Sequence, residues 1–229
     1  MPRCARIILP GIAHHLTQRG NNRGVTFCTD ADYGAYLTFL HEQTGKHLVV
    51  VDGYCLMPNH VHLVLIPPDE MSLARAIGRT HYRYTQYFNV TYQRSGHLWQ
   101  NRFYSCALDE SHYWKALCYV ERNPVRAHLV ETATAYRWSS AAAHVGAPED
   151  TGLLDIAAWQ ARMPAEDWCE RLGLPEEEAL MAMLRCTTHT GRPLGSTEFL
   201  RSYEERLGRR LQPLSVGRPK KMKGEHNNK

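Results

Sequence analysis

The chain has 229 residues, of which 43% are hydrophobic and 22% charged, and it carries a net charge of +4. These values are typical of a folded globular protein with one sizeable domain and a small appendage. No apolar run approaches the roughly 20 residues that a membrane span needs, and the N-terminal segment lacks a signal-peptide core. Seven cysteines without a C-x-x-C pair favour reduced thiols over a disulfide framework. We therefore expect a cytoplasmic protein that does not enter a membrane.

The N-terminal part of the chain predicts a strand, a polar loop and a helix. Residues 12–19 predict a first strand, which ends at the turn-forming sequence Gly-Asn-Asn-Arg-Gly of residues 20–24. Asp30 is expected to cap a helix that continues to about Gly45, with apolar side chains along one stripe.

Two strands joined by a tight turn come next. Residues 48–55 and 61–66 are rich in β-branched and apolar side chains, and the short break at residues 57–59 predicts an antiparallel hairpin. A helix is predicted over residues 71–89, with apolar residues on one side and an arginine at every fourth position on another.

The remaining chain predicts one more core strand, over residues 102–108, and several helices. A helix from Asp109 should end near Asn123, because Pro124 lacks an amide donor and disfavours helix in the residue before it. Strands and helices interleaved in this way indicate an α+β fold, an antiparallel sheet with helices packed on it. Beyond a linker at residues 146–150, helices are predicted over residues 155–163, 175–185 and 196–208.

Charge is unevenly distributed over the C-terminal third. Residues 146–200 carry ten acidic and four basic side chains, whereas residues 201–229 carry nine basic and three acidic ones. A basic tail after an acidic segment is a candidate arm for binding a polyanion. The alternative is a solvated tail that only favours solubility, and charge alone does not separate the two.

The most informative motif is a pair of histidines in an apolar strand. His60 and His62 lie two residues apart, so both imidazoles leave the same face of the strand. Tyr119 and Asn123 lie four apart in a helical segment, so they also share a face. Two imidazoles and a carboxamide oxygen form a neutral ligand set, which suits Mg²⁺ or Mn²⁺ acting on a phosphodiester better than a structural zinc. The alternative is that the strand tolerates two histidines that have no part in binding a metal.

A tyrosine beside such an ion is a candidate nucleophile. Twelve tyrosines occur in the chain. Tyr119 differs from the others because it begins the sequence Tyr-Val-Glu-Arg-Asn-Pro-Val, which places an amide oxygen one helical turn away. Attack by a tyrosine would conserve the bond energy in a 5′-phosphotyrosine, so that strands can be rejoined without an external energy source. The pattern therefore predicts metal-assisted phosphoryl transfer through a covalent tyrosine.

Three motifs together resemble a known family. The stretch of residues 10–23, the His-Val-His of residues 60–62 and the Tyr-x-x-x-Asn-Pro-Val of residues 119–125 resemble the REP-associated tyrosine transposases, which are single-tyrosine members of the HUH nuclease superfamily. The resemblance covers about residues 5–145. It implies an RRM-like α+β catalytic core, a metal ion, and cleavage and rejoining of single-stranded DNA at hairpin repeats.

The resemblance also implies roles for individual residues. His60 and His62 match the metal-binding and catalytic pair, Tyr119 the nucleophile and Asn123 the third metal ligand, although many relatives have glutamine at that position. Residues 1–145 would form the catalytic domain, residues 146–211 a helical C-terminal region and residues 212–229 a basic tail. Some related enzymes are dimers that exchange the tyrosine helix and others are monomers, so a monomer and a homodimer both remain open.

Further residues are candidates for DNA contact. They are polar or basic side chains in the loop after the first strand, on the helix of residues 71–89, before the third core strand and in the tail, where residues 217–221 resemble an AT-hook for A·T-rich duplex DNA. A turn, a solvated helix face and a diffusely charged tail are the respective alternatives. The candidates are Arg19, Asn21, Asn22, Arg23, Arg75, Arg79, Arg83, Gln100, Arg102, Arg218, Lys220 and Lys221.

Two other functions remain possible on the sequence alone. The first is a DNA-binding or regulatory protein that keeps this fold without turnover. The second is a two-histidine phosphoesterase acting on an RNA-like substrate, for which His15 and Thr17 would supply part of a second motif. The histidine pair lacks the matching His-x-Ser/Thr form, which disfavours this second alternative.

Overall fold

A four-stranded antiparallel sheet forms the centre of the computed structural model, which describes residues 6–212. The strands are ordered β2-β3-β1-β4, so β1 and β3 are the two central strands. Residues 58 and 59 form the tight turn of the β2–β3 hairpin, as predicted. The strands are β1 His14–Arg19, β2 Val50–Met57, β3 His60–Ile66 and β4 Tyr104–Ala107. The α+β prediction with an antiparallel, RRM-like sheet is confirmed.

Helices occupy most of the chain between and after these strands. Short 3-10 turns lie at Asn21–Arg23 and Ala133–Ala135. The helices are α1 Asp30–Lys46, α2 Ser72–Thr91, α3 Glu110–Glu121, α4 Asn123–Arg126, α5 Ala141–His144, α6 Ile156–Gln160, α7 Ala165–Gly173, α8 Glu178–Thr190 and α9 Thr197–Leu207. The sequence did not predict α4, α5 or α7.

Two helix ends can be compared with the sequence prediction. Thr29, not Asp30, is the N-cap of α1, and it forms a capping box with Asp32. Helix α3 ends at Glu121, close to Asn123 as predicted, but the chain continues directly into the short helix α4, with Pro124 in its first turn. Proline is favoured there because the first amides of a helix have no partner within it.

The two faces of the sheet bury different side chains. On one face, apolar residues of the strands pack against α1 and α2 in the main hydrophobic cluster. The register pairs Thr17 with His62 and His15 with Val64, so these four residues share the opposite face. Helices α3 and α8 cover part of that face. His60 and His62 therefore lie between the sheet and the second layer of helices.

Helix α3 lies close to the sheet because β2 has a glycine beneath it. A Cβ atom added at Gly53 would come within 2.3 Å of Leu117 Cδ1. Two residues after Tyr119, the buried carboxylate of Glu121 accepts a hydrogen bond from Trp168 Nε1 at 2.8 Å. Ser140 and His144 also bond to this carboxylate. Hydrogen bonds from Trp168 on α7 and from Ser140 and His144 therefore hold the end of α3 in place.

The segment after residue 145 packs on the same sheet. Helix α8 contacts β4 and β1, and Leu194 N donates to Ala107 O at 2.8 Å. The boundary between a catalytic domain and a C-terminal region stays a prediction. No helix of residues 6–212 is long and apolar enough to cross a membrane, and the six cysteines within that range are free thiols.

Candidate active site

A cleft of about 700 Å³ opens on the polar face of the sheet. His60 and His62 reach it from β3, Tyr119 from α3 and Asn123 from α4. The structure thus brings together the four residues that the sequence proposed as metal ligands and nucleophile.

The rings in this cleft are close to one another. The centroids of the His60 and His62 rings are 5.0 Å apart, and that of Tyr119 lies 5.6 Å from His62 in an edge-on arrangement. Tyr119 and Asn123 are both buried. Within the described part of the chain, the Asn123 amide nitrogen has no hydrogen-bond partner.

His15 is a third imidazole at this site. Its Nε2 lies 2.9 Å from His62 Nδ1, and the two rings are stacked with centroids 5.1 Å apart. Its Nδ1 lies 2.8 Å from the hydroxyl oxygen of Thr188 on α8. Both ring nitrogens of His15 are therefore occupied by protein partners.

Burial keeps these imidazoles uncharged. It lowers the pKa of His15 to about 3 and that of His60 to about 4, and it lowers the pKa of His62 well below its ordinary value. The positive charge of Arg126 acts in the same direction on all three. A neutral imidazole has a lone pair free for a metal ion, so the rings are in the ligating form at neutral pH.

The side chains fit a divalent metal ion. His60 Nδ1 lies 2.6 Å from Asn59 Oδ1, and His62 Nδ1 faces His15, which leaves Nε2 of each ring available. The side-chain carboxamide of Asn123 is buried in the same cleft; its nitrogen can only donate and has no partner among the described residues, and its oxygen is the atom that could bind a metal. No three His, Cys, Asp or Glu side chains in residues 6–212 form a metal cluster by themselves. That Asn123 is the third ligand of an ion held by His60 and His62 stays a prediction from the sequence.

The charged side chains that line the cleft are arginines, of which Arg126 is paired with Glu176. The lining of the cleft within residues 6–212 includes Arg19, Arg126 and Arg185 but no carboxylate. The guanidinium of Arg126 lies 4.2 Å from the centre of the Tyr119 ring and donates to the Tyr119 carbonyl at 2.8 Å. Such a lining attracts a phosphate group.

A second cavity, the arginine groove, extends from the cleft along β4. The two cavities share Tyr104, Thr188 and His189, and the rings of Tyr104 and His189 are 4.2 Å apart. Burial and the charge of Arg102 lower the pKa of Arg6 to about 10. Among described residues, no acidic side chain lines this groove. Its arginines are Arg6, Arg102, Arg192, Arg209 and Arg210.

Some predicted DNA contacts lie at these cavities. Arg19 and Gln100 line the cleft, where Gln100 N donates to Arg19 O at 2.9 Å, and Arg102 lies in the arginine groove. The loop after β1 is exposed, with left-handed backbone at residues 22 and 23. Its side chains are those of Asn21, Asn22 and Arg23.

The arginines of α2 do not line the cleft, because that helix packs on the opposite face of the sheet. Arg83 pairs with Glu42 and covers the Phe39 ring, while Arg75 and Arg79 are exposed. Their DNA contact stays a prediction. The tail candidates lie outside the described residues; they are Arg218, Lys220 and Lys221.

Several residues of the cleft were not predicted from the sequence. His15 has a usable signal, since it alternates with Thr17 and Arg19 on β1 and must share their face. Arg185 and Thr188 lie on α8, whose position over β4 has no signature in the sequence. Tyr113, six residues before Tyr119, points elsewhere, and its hydroxyl donates to Asp52 at 2.9 Å.

Comparison with known proteins places these residues in a family. Residues 10–123 match the sequence profile of the family described as "Transposase IS200 like". A solved structure of a REP-associated tyrosine transposase bound to a REP hairpin is similar, with a TM-score of 0.53 and 20% sequence identity. The alignment covers 68% of this chain and 90% of the other. The family match confirms the kinship with transposases that the motifs predicted.

The other comparisons add little. A candidate transposase from Deinococcus radiodurans R1 is 18% identical and has a TM-score of 0.37 over 53% of this chain and 97% of its own, which is too low to support an argument. No curated protein matches the sequence significantly.

Proposed function

We propose that this chain, whose residues 10–123 match the IS200-like transposase family, cleaves and rejoins single-stranded DNA through a covalent bond to Tyr119. The family match supports a DNA-processing enzyme. One observation above all supports the finer proposal: His60, His62, Tyr119 and Asn123 line a single cleft whose charged residues are arginines.

The proposed reaction is a transesterification in two steps. The Tyr119 hydroxyl oxygen attacks the phosphorus of a phosphodiester, a Tyr–O–P bond forms, and the bond from phosphorus to the 3′ oxygen breaks. The phenol proton leaves, and the departing strand ends in a protonated 3′ hydroxyl. In the second step a 3′ hydroxyl attacks the phosphotyrosine, which rejoins the DNA and restores Tyr119.

Arginines and histidines of the cleft prepare this reaction. Arg126 and Arg185 flank the Tyr119 ring at 4.2 and 6.0 Å, so a phosphate drawn to them would lie beside the attacking group. His60, His62 and Asn123 would hold Mg²⁺ or Mn²⁺, which polarises the phosphate when bound.

The substrate we propose is a single strand that carries a hairpin repeat. A likeness at 20% identity supports the shared fold, and the resemblance of the three motifs to REP-associated enzymes supports the hairpin. The arginine groove continues from the cleft and could receive the strand beside the cleavage point, with the Tyr104–His189 pair as a surface for base stacking. Contact with A·T-rich duplex through the tail remains a proposal from the sequence.

A cleavage assay tests the function. Purified protein is incubated with end-labelled hairpin oligonucleotides in Mg²⁺ or Mn²⁺, and with chelator. We expect cleavage and a covalent adduct with metal, neither with chelator, and neither with Tyr119→Phe, which should still bind DNA within a few-fold.

Tyr113→Phe is the matched control, because it removes a tyrosine hydroxyl from the same helix outside the cleft. It should cleave like the wild type. Binding of the hairpin without cleavage in either metal would instead favour the catalytically idle DNA-binding protein. An adduct formed by Tyr119→Phe would exclude Tyr119 as the nucleophile.

A further inference from the structure

A chain of hydrogen bonds links helix α8 to His62. His62 Nδ1 lies 2.9 Å from His15 Nε2, and His15 Nδ1 lies 2.8 Å from Thr188 Oγ1. The Thr188 hydroxyl donates to the carbonyl of Leu184, one turn earlier in α8, at 2.7 Å. All three side chains are buried, so water does not compete for these bonds.

The protons in this chain can be assigned by counting. A hydroxyl has one proton, and Thr188 uses it on Leu184 O, so its oxygen accepts from His15 Nδ1–H. Neutral His15 then has its lone pair on Nε2, which accepts from His62 Nδ1–H. The remaining nitrogen of neutral His62, Nε2, is therefore unprotonated. Cys106, 3.1 Å from the Thr188 oxygen, can donate its thiol proton without changing this order.

The Nδ1 proton of the neighbouring imidazole, that of His60, is also held by a hydrogen-bond acceptor, but the acceptor is a different group. His60 Nδ1 lies 2.6 Å from Asn59 Oδ1, so an amide oxygen of the adjacent residue accepts its proton. For His62 the equivalent acceptor is His15 on β1, which is itself bonded to Thr188 on α8. Both histidines thus offer Nε2, and acceptors of this kind orient a metal-binding imidazole and raise its basicity.

We propose that Thr188 is a positioning residue that fixes, through His15, the tautomer and ring orientation of His62. The segment after residue 145 would then be part of the metal centre rather than an accessory to a complete catalytic domain. The proposal rests on the proposed function for the role of His62 as a metal ligand, whereas the tautomer itself is a property of the metal-free protein.

The first test reads the tautomer without metal or DNA. The imidazole ¹⁵N shifts of His15 and His62 are measured in the metal-free protein at neutral pH. In the wild type we expect protonated Nδ1 and unprotonated Nε2 on both rings. Thr188→Val removes the accepting oxygen with little change in volume and should give mixed tautomers, while Thr188→Ser should retain the wild-type pattern.

The second test reads the affinity for Mn²⁺ alone by calorimetry. Thr188→Val should weaken binding about 10–100-fold, the usual cost of losing a group that orients a ligand, and Thr188→Ser by less than about threefold. Thr187→Val is the matched control: its hydroxyl bonds to carbonyls of its own helix and to the Cys106 thiol, which lies outside the chain from Thr188 through His15 to His62, and the variant should bind like the wild type.

The outcomes separate this proposal from the proposed function. Unchanged tautomers and unchanged Mn²⁺ affinity in folded Thr188→Val would overturn the positioning role. Mixed tautomers in that variant, together with Mn²⁺ affinity that does not depend on His62, would support the hydrogen-bond chain and refute the metal site. Thermal unfolding checks that each variant folds, and Thr188→Ala is a second variant lacking the same oxygen.

Discussion

The two faces of the central sheet differ in what their buried side chains contribute. Toward α1 and α2, Leu16, Val61 and Leu63 are fully buried in apolar surroundings. Toward α3 and α8, His15 and His62 are almost as well buried, but they hydrogen-bond to each other and border an arginine-lined cleft. Burial on the first face stabilises the fold, whereas burial on the second holds neutral imidazoles in fixed positions.

This contrast exists between adjacent residues. His62 and Leu63 are neighbours on β3, and the alternation of the strand sends them to opposite faces. Substitutions at such neighbours should therefore separate activity from stability, and the predictions below use that separation.

The largest expected effect comes from exchanging His62 or Leu63 for alanine. His62→Ala should reduce cleavage at least about 100-fold, since even loss of a group orienting a ligand costs about 10–100-fold. Leu63→Ala should cost about 2–5 kcal/mol of unfolding free energy, the usual result of emptying a packed leucine site. Urea unfolding and cleavage per folded molecule measure both. Equal losses of activity in the two variants would contradict the division between the faces.

A buried carboxylate on the α1–α2 side should matter for stability alone. Asp32 accepts hydrogen bonds from the hydroxyls of Tyr87 and Tyr92 and from the amides of Cys28 and Thr29. Burial opposes ionisation, but these bonds outweigh it and hold the pKa of Asp32 below its ordinary value. Asp32→Asn should cost about 1–3 kcal/mol at neutral pH.

The contribution of Asp32 to stability should change with pH in a predictable direction. A carboxyl with a lowered folded-state pKa stabilises above its unfolded pKa of about 4, and the stabilisation disappears as the pH falls through the folded value. Wild type and Asp32→Asn should therefore differ most at neutral pH and converge below about pH 4. A stability difference that is constant between pH 7 and pH 3 would exclude the proposed role of the carboxylate.

Paired arginine substitutions compare DNA binding by the arginine groove with DNA binding by the exposed side of α2. Arg102→Ser with Arg192→Ser removes two charges from the arginine groove and should lower the slope of log affinity against log salt by about 1.4, at about 0.7 per phosphate contact of a single strand. Arg75→Ser with Arg79→Ser, on the exposed side of α2, should change the slope less. Fluorescence anisotropy with a single-stranded oligonucleotide measures it, and the reverse ranking would move the DNA path to α2.

Asn123→Ala should have the smallest effect. Water can replace one neutral oxygen ligand, so we expect Mn²⁺ affinity to fall only several-fold, less than for His62→Ala. Calorimetry with Mn²⁺ alone measures this. A loss as large as that of His62→Ala would mean that Asn123 contributes more than one replaceable ligand.

Much of the first face could be predicted from sequence because its signals are local. The apolar run of residues 61–66 and the apolar stripe of α1 each indicate side chains that are buried. The hairpin and the helix after it follow from the same short-range patterns. The His60–His62 pair and its convergence with Tyr119 were also predictable, through spacing and motif resemblance.

The rest of the second face depends on contacts between distant segments. His15 meets His62 because β1 and β3 are neighbours in the sheet, an order that no short window of sequence encodes. Thr188 reaches His15 only because α8 packs on β4, and the two residues are 173 positions apart. Predicting a helix over residues 175–185 gave no indication of its partner.

Identification of the covalently modified residue tests the central claim most directly. After reaction with a hairpin oligonucleotide and digestion by nuclease and trypsin, the peptide of residues 116–122 contains Tyr119 as its single tyrosine, while Tyr104 and Tyr113 fall in the preceding peptide. Mass spectrometry should find a nucleotide attached through phosphate to Tyr119. A nucleotide on the preceding peptide, or cleaved DNA without any modified tyrosine, would contradict the account.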